Sequence, residues 1–297
     1  MSPHHLIMMT HAAPRFRVVH WNVRRCVDLS GASSLSRVLE ALRSLQPSLL
    51  SLNEVDLRQS PSLLSDLSAA GLPHSSFFGH MRGTYGNLLA ATVPLRNVLH
   101  LHLRGGSHVR VRDGRLHRIA RGLLCADFSF LGVELRAAAT HLDHISSVER
   151  RRQTHHLLQP LRLAEGARQC LLLGDLNALC REDFTSAEWE AHERHNRKKG
   201  WAPPVDEAEP GGVLSLLREA RFVDAYAAVH PRREGGVPPW TAHVHDAEQP
   251  RYRIDYVWSR PPLLPDAPRL VPCEGLVHPS CDQASDHQPL VIDFVRA

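Results

Sequence analysis

The sequence predicts an α/β fold in which two packed β-sheets carry helices on their outer faces. Three observations carry this. Short apolar, strand-like runs outnumber segments with helical periodicity; several of those runs follow one another directly (88–93, 122–128 and 133–140); and no Pro/Gly-rich linker or internal repeat divides the 297 residues. A simple parallel sheet would alternate strand and helix more strictly, whereas strands in succession favour sheet-on-sheet packing.

In chain order, residues 1–15 read as a flexible tail and 17–23 as the first strand. Leu35, Val38, Leu39, Leu42 and Leu45 then recur at helical spacing, with Ser33 or Ser34 as the candidate N-cap and Pro47 as the stop. Residues 49–55 form a buried strand, and Leu63, Leu64 and Leu67 mark a second helix closed by Gly71. After the three successive strands comes a helix over 146–164 containing Pro160, then a wholly apolar strand over 170–173 that runs into Gly174-Asp175. A helix over 213–220 precedes Phe222-Val223-Asp224-Ala225, and the last strands cover 253–258 and 290–295. Residues 181–212 pass from acidic and aromatic to basic and read as an inserted surface excursion; the Pro-rich stretch 260–284 reads as a loop.

Composition narrows the class without naming it. Hydrophobic residues make up 43% and charged residues 22%, ordinary values for a globular core. No apolar run approaches the roughly 20 residues a membrane-spanning helix needs, and Leu6–Met9 is too short for a signal-peptide core of about 7–15 residues. Arg15, Arg17, Arg24 and Arg25, with no acid before Asp28, leave organellar import open. The six cysteines form no C-x-x-C pair and read as reduced thiols, which points to the cytoplasm or nucleus. Net charge of +4 permits an anionic substrate without demanding one, and nothing calls for more than a monomer.

Carboxylates and histidines at strand ends carry the chemistry. Glu54 ends the run Leu49-Leu50-Ser51-Leu52-Asn53; Asp175 and Asn177 follow Leu171-Leu172-Leu173-Gly174; Asp255 lies within Arg253–Trp258; Asp286 and His287 lead into the last strand. Such groups cost free energy beside apolar strands unless they are paired or hold an ion. Taken singly, each also reads as a turn residue or a buried hydrogen bond. Phosphate-ester hydrolysis needs a hard cation, a positioned water and charge stabilisation at phosphorus, and strand-end carboxylates facing one cleft meet that need.

Six words hold these residues: His20-Trp21-Asn22, Leu52-Asn53-Glu54-Val55, Thr140-His141-Leu142, Gly174-Asp175-Leu176-Asn177, Arg253-Ile254-Asp255-Tyr256 and Ser285-Asp286-His287. Their order and content resemble the endonuclease/exonuclease/phosphatase superfamily, the deoxyribonuclease I-like enzymes. The resemblance implies one domain over 16–297, folded as a four-layer α/β sandwich of two mostly antiparallel sheets flanked by helices. It implies a magnesium cofactor, with manganese able to substitute, held by Glu54 with Asn22 and Asp286. By the same resemblance Asp175 holds and deprotonates the attacking water, and Asn177 donates a hydrogen bond to water or phosphate. His287 contacts the phosphate, Asp255 fixes the tautomer of His287, and His141 faces the phosphate or leaving group. Apurinic endonucleases typically place a tyrosine near His141, which counts against an abasic-site specialist.

The function expected is hydrolysis of phosphodiester bonds, with nucleic acid as the partner. A lipid or inositol-phosphate hydrolase and a non-catalytic module that keeps the fold are the alternatives. A zinc reading of His141-Leu142-Asp143-His144 lacks cysteine ligands nearby. Arg150-Arg151-Arg152 reads as a solvated helix face. The run holding Arg104, Arg110, Arg112, Arg115, Arg118 and Arg121 either meets phosphates or forms a solvated hairpin.

Overall fold

A computed structural model of the chain describes residues 14–110, 114–163, 166, 168–230, 240–243, 250–278 and 283–297. Most of the expected tail, Arg112 and Cys281 lie outside the described residues. The elements are β1 (Phe16–Asn22), α1 (Leu35–Leu45), β2 (Leu49–Asp56), α2 (Leu63–Ala69), β3 (His74–Met81), β4 (Tyr85–Ala91), β5 (Arg96–His102), β6 (His108–Arg110), β7 (Leu116–Arg118), β8 (Gly122–Phe130), β9 (Val133–His141) and α3 (Ser147–Leu163). They continue as β10 (Gln169–Asp175), α4 (Ser186–Lys199), α5 (Val213–Glu219), β11 (Val223–Asp224), α6 (Ala225–Val229), β12 (Asp255–Arg260), β13 (Leu270–Val277) and β14 (Leu290–Arg296).

The first sheet runs β13-β14-β1-β2-β4-β3 and the second β11-β12-β10-β9-β8-β5. Each is antiparallel except for one central parallel pair, β1/β2 in the first sheet and β9/β10 in the second. Parallel neighbours need a crossover, and the helices α1 and α3 supply it. Phe16, Val18, Leu49, Leu89, Leu124, Ala137, Leu171, Val257 and Ile292 form the apolar layer between the sheets. Successive side chains alternate faces, so Val19, Trp21, Leu50 and Leu52 point outward and pack with Val38, Leu42 and Leu63 of α1 and α2. On the other sheet Cys170, Leu172 and Trp258 meet Leu157 and Leu161 of α3 and Leu214 and Leu217 of α5. The result is the four-layer sandwich.

Several elements depart from the sequence reading, each for a physical reason. The excursion at 181–212 contains the 14-residue helix α4, whose start is fixed by a capping box between Thr185 and Glu188. The supposed loop at 260–284 holds the edge strand β13, with Pro272 at a register shift where no ladder bond is required of it. Ser34 stands at the start of α1, but its hydroxyl donates to the Ala284 carbonyl at 2.5 Å rather than capping the helix. Arg150 is not on a solvated face: it is buried and its Nε donates to Glu207 Oε1 at 3.0 Å.

Candidate active site

The alternation that builds the apolar layer also builds the site. On β1 the inner positions read Phe16, Val18, His20, Asn22; on β2 Leu49, Ser51, Asn53; on β4 Ala91, Leu89, Asn87; on β9 Ala137, Ala139, His141; on β10 Leu171, Leu173, Asp175; and on β12 Val257, Asp255. Every one of these strands turns from apolar to polar at the same end of the sandwich, the carboxyl end of both parallel pairs. Gly174 allows the close approach there, since a Cβ on it would sit 2.2 Å from the Thr140 carbonyl oxygen.

Asp175 is the centre. It is 2% exposed, and its Oδ2 accepts from Asn22 Nδ2 at 3.0 Å. His141 Nε2 lies 3.5 Å and His287 Nε2 3.8 Å from the same oxygen. Its Oδ1 accepts from the Asn177 backbone N–H at 3.0 Å, and its own backbone N–H donates to Asn53 Oδ1 at 2.8 Å. Burial, and then the neighbouring Asp255 charge, push the Asp175 carboxyl above the ordinary carboxylate range.

Asp255 and His287 stand 32 positions apart in sequence, yet His287 Nδ1 lies 2.7 Å from Asp255 Oδ2. The other oxygen of Asp255 is 3.1 Å from His20 Nε2, and its backbone N–H donates to Thr241 Oγ1 at 3.1 Å. His20 Nδ1 is 3.2 Å from Ser51 Oγ. Burial alone would lower His287, but the Asp255 carboxylate overrides it and holds the imidazole well above its usual value. Burial likewise works to raise Asp255, and the charge and hydrogen bonds of His287 and His20 hold it well below.

His141 is backed by the opposite charge. Arg121, 4% exposed, places Nη1 3.1 Å from His141 Nδ1 and Nη2 3.1 Å from His144 Nδ1. Burial first, and the Arg121 charge second, hold His141 well below the usual imidazole range.

Glu54 sits where the β2–β4 register shifts between Leu52 and Val55, and it takes a left-handed φ of 56°. A non-glycine residue held there stores roughly 1–3 kcal/mol and re-aims its side chain out of the ladder. Its Oε1 accepts from Asn22 Nδ2 at 3.2 Å, so a single amide bridges Glu54 and Asp175. The Asn22 oxygen accepts from the Arg24 backbone N–H at 3.1 Å. Asp286 is half-buried beside Arg24, Nε to Oδ2 3.5 Å. Asn177 donates through Nδ2 to the Leu142 carbonyl at 3.2 Å. Asp175, Asp255 and His287 also bring one ligand atom each within 4.8 Å of one another and could hold a metal ion.

His20, Asn53, Arg121 and Thr241 had no part in the expected site. Two of them were visible as pattern: His20 shares the inner face of its strand with Asn22, and Asn53 is the residue beside Asn22 in the neighbouring strand. Arg121 was hidden among five other arginines.

The profile of the Endonuclease/Exonuclease/phosphatase family matches residues 19–287. No curated protein matches the sequence. Among solved structures, the endonuclease/exonuclease/phosphatase from Beutenbergia cavernae DSM 12333 is 21% identical with a TM-score of 0.67, covering 95% of this chain and 71% of that one. D. rerio TDP2 complexed with single strand DNA product is 19% identical, TM-score 0.60, covering 94% and 98%. The human Nocturnin catalytic domain with bound sulfate is 21% identical, TM-score 0.62, covering 96% of each chain.

Proposed function

Since this chain belongs to the endonuclease/exonuclease/phosphatase family, we propose that it hydrolyses phosphodiester bonds in nucleic acid with the aid of magnesium. The observation that carries the reading is the convergence on Asp175. One buried carboxylate is approached by an amide and two imidazoles, at the carboxyl end of two parallel strand pairs. That constellation suits a base that takes a proton from water beside groups that hold a phosphate.

In this reading Asp175 accepts the proton of the attacking water, and the Asn22 amide fixes the carboxylate's direction. His287, protonated and held by Asp255, places Nε2–H against the phosphate and stabilises the charge that grows there. His141 faces the phosphate or the leaving group, and Asn177 lies beside the water. Glu54 is the main magnesium ligand, with Asn22 and Asp286. The donor set fits a hard cation: the Glu54 carboxylate meets the Asn22 amide and the Tyr85 hydroxyl, both neutral, which leaves its negative charge under-compensated. The Asp175/Asp255/His287 group fits less well, because Asp255 already holds His287 Nδ1. When bound, the cation would neutralise the phosphate. The solved structure of TDP2 with a DNA product and the exposed arginines of the run before β8 favour nucleic acid as the substrate.

A panel of single- and double-stranded DNA, RNA, 5′-tyrosyl ends, sphingomyelin and inositol phosphates, assayed with magnesium and manganese, tests this. Nucleic acid is expected to be cleaved, only with added metal. Cleavage of a lipid or inositol phosphate alone would replace the substrate, and activity in chelator would remove the cation. Glu54→Gln tests the ligand: magnesium-dependent turnover should fall by about 10²-fold, the several kcal/mol a Lewis-acid contact supplies, with thermal stability retained.

A further inference from the structure

Two other buried arginines of this protein meet carboxylates. Arg150 pairs with Glu207, and Arg253 with Asp183 and Asp224. Arg121 does not follow that pattern. Among the described residues, the hydrogen bonds of its guanidinium go to two imidazoles, and its Nε–H has no partner. Leaving a buried charge without a counter-ion costs several kcal/mol. Burying it in this way makes physical sense where an anion is to be received.

The chemistry of the contact fixes more than charge. A guanidinium only donates, so both Nδ1 atoms must accept. An imidazole that accepts at Nδ1 carries its proton on Nε2. His141 Nε2 is directed at the Asp175 carboxylate, 3.5 Å away. His144 is exposed, three residues further along and on the same guanidinium.

We propose that Arg121 is a positioning residue that locks His141 and His144 as a pair of Nε2–H donors for the substrate's phosphate groups, one beside Asp175 and one at the mouth of the site. The proposal rests on the phosphoester reading above and extends it. The two rings deliver the polarising effect of one buried positive charge to the substrate without exposing that charge to water. They also make the site selective for anions, because only an anion offsets the guanidinium.

Long-range 1H–15N correlation spectra of the full-length, 15N-labelled protein with magnesium at pH 7.5 provide the test. His141→Gln and His144→Gln spectra assign the two rings. Both rings are expected as Nε2–H tautomers with an unprotonated Nδ1, and inorganic phosphate should shift both Nε2 resonances. Arg121→Lys keeps the charge but replaces the planar fork, whose two Nη atoms each hold one ring, by a single nitrogen on a flexible stem. It should release at least one ring into a tautomer mixture and lower kcat on a chromogenic phosphodiester by about tenfold or more, with a smaller change in KM. An Nδ1–H tautomer or an imidazolium on either ring of the natural protein overturns the assignment. So does phosphate that shifts neither ring, or Arg121→Lys with unchanged tautomers and turnover. If no phosphodiester is hydrolysed, yet phosphate shifts both locked rings, the donor pair stands and the hydrolytic function falls.

Discussion

His287, just before β14, and His141, at the end of β9, approach the same oxygen of Asp175 at 3.8 Å and 3.5 Å, and their surroundings push their pKa values in opposite directions. Both rings are buried, so desolvation acts against the charge on each. The difference lies one atom layer back. Asp255 stands behind Nδ1 of His287, and Arg121 behind Nδ1 of His141. A carboxylate makes its imidazole a cation; a guanidinium makes its imidazole a neutral donor. What the comparison teaches is that the catalytic letter in a motif, here His in both cases, does not set the role. The partner of the far nitrogen sets it, and that partner comes from a distant part of the chain.

Removing the shared acceptor should have the largest effect. Asp175→Asn keeps the shape and the contact with Asn22 but cannot take a proton. Turnover should fall by about 10²–10⁴-fold, with substrate binding little changed. A rise in KM alone would make Asp175 a binding group and would leave the two histidines without a common task.

Breaking the carboxylate side separately sharpens the contrast. The folded-state pKa of His287 lies well above the ordinary value of 6.5, so the stability it contributes is fully present below that pH and is lost as pH rises through the folded value. The folded-state pKa of Asp255 lies well below 3.8, so its contribution is present above that pH and is lost only in strong acid. The pair is therefore strongest between about pH 4 and 6.5. Asp255→Asn should cost about 3–5 kcal/mol there. The gap to the natural protein should narrow by at most about 1.4 kcal/mol per pH unit toward pH 9. Urea unfolding in chelator at pH 6 and pH 9 measures it; a gap independent of pH would mean that His287 is not the cation described.

The first half of this contrast was legible in the sequence and the second was not. The words Arg253-Ile254-Asp255-Tyr256 and Ser285-Asp286-His287 abut strongly apolar strands, so their polar members had to be paired, and their neighbours in the sheets were determined by strand order. His20 could be reached by counting two residues back from Asn22 along one strand face. Arg121 could not be chosen from a run of six arginines, because nothing in composition separates a buried guanidinium from a solvated one. Its only local sign is its place directly before the apolar strand β8. Among the elements, α4 escaped detection because its sequence is charged on most of its surface and lacks an apolar stripe, although its capping residues were present. The strands β3 and β5 mix His, Ser and Asn with apolar residues and lie at sheet edges, where alternation is weakly enforced.

The rest of that arginine run gives the smallest expected effect and the cleanest contrast with Arg121. Arg104, Arg110, Arg115 and Arg118 are exposed, with Arg110 and Arg118 in the hairpin of β6 and β7. Exposed charges interact weakly one at a time, but along a polynucleotide each phosphate neutralised releases counterions. The logarithm of affinity should then fall with the logarithm of salt by roughly 0.7–0.9 per contact. Replacing Arg110 and Arg115 with Ala should flatten that slope by about 0.7–1.8, according to whether one or both meet a phosphate. The weakening should be alike across sequences, because phosphate contacts carry no base information. Fluorescence anisotropy of a labelled single strand between about 50 and 200 mM salt reads the slope directly. Arg121, buried and committed to two histidines, should leave the slope nearly unchanged when replaced by Lys while lowering turnover. If the paired hairpin substitution leaves the slope where it was, the hairpin is solvated. The exposed arginines of that run then take no part in binding, and a small-molecule or lipid phosphoester becomes the better substrate.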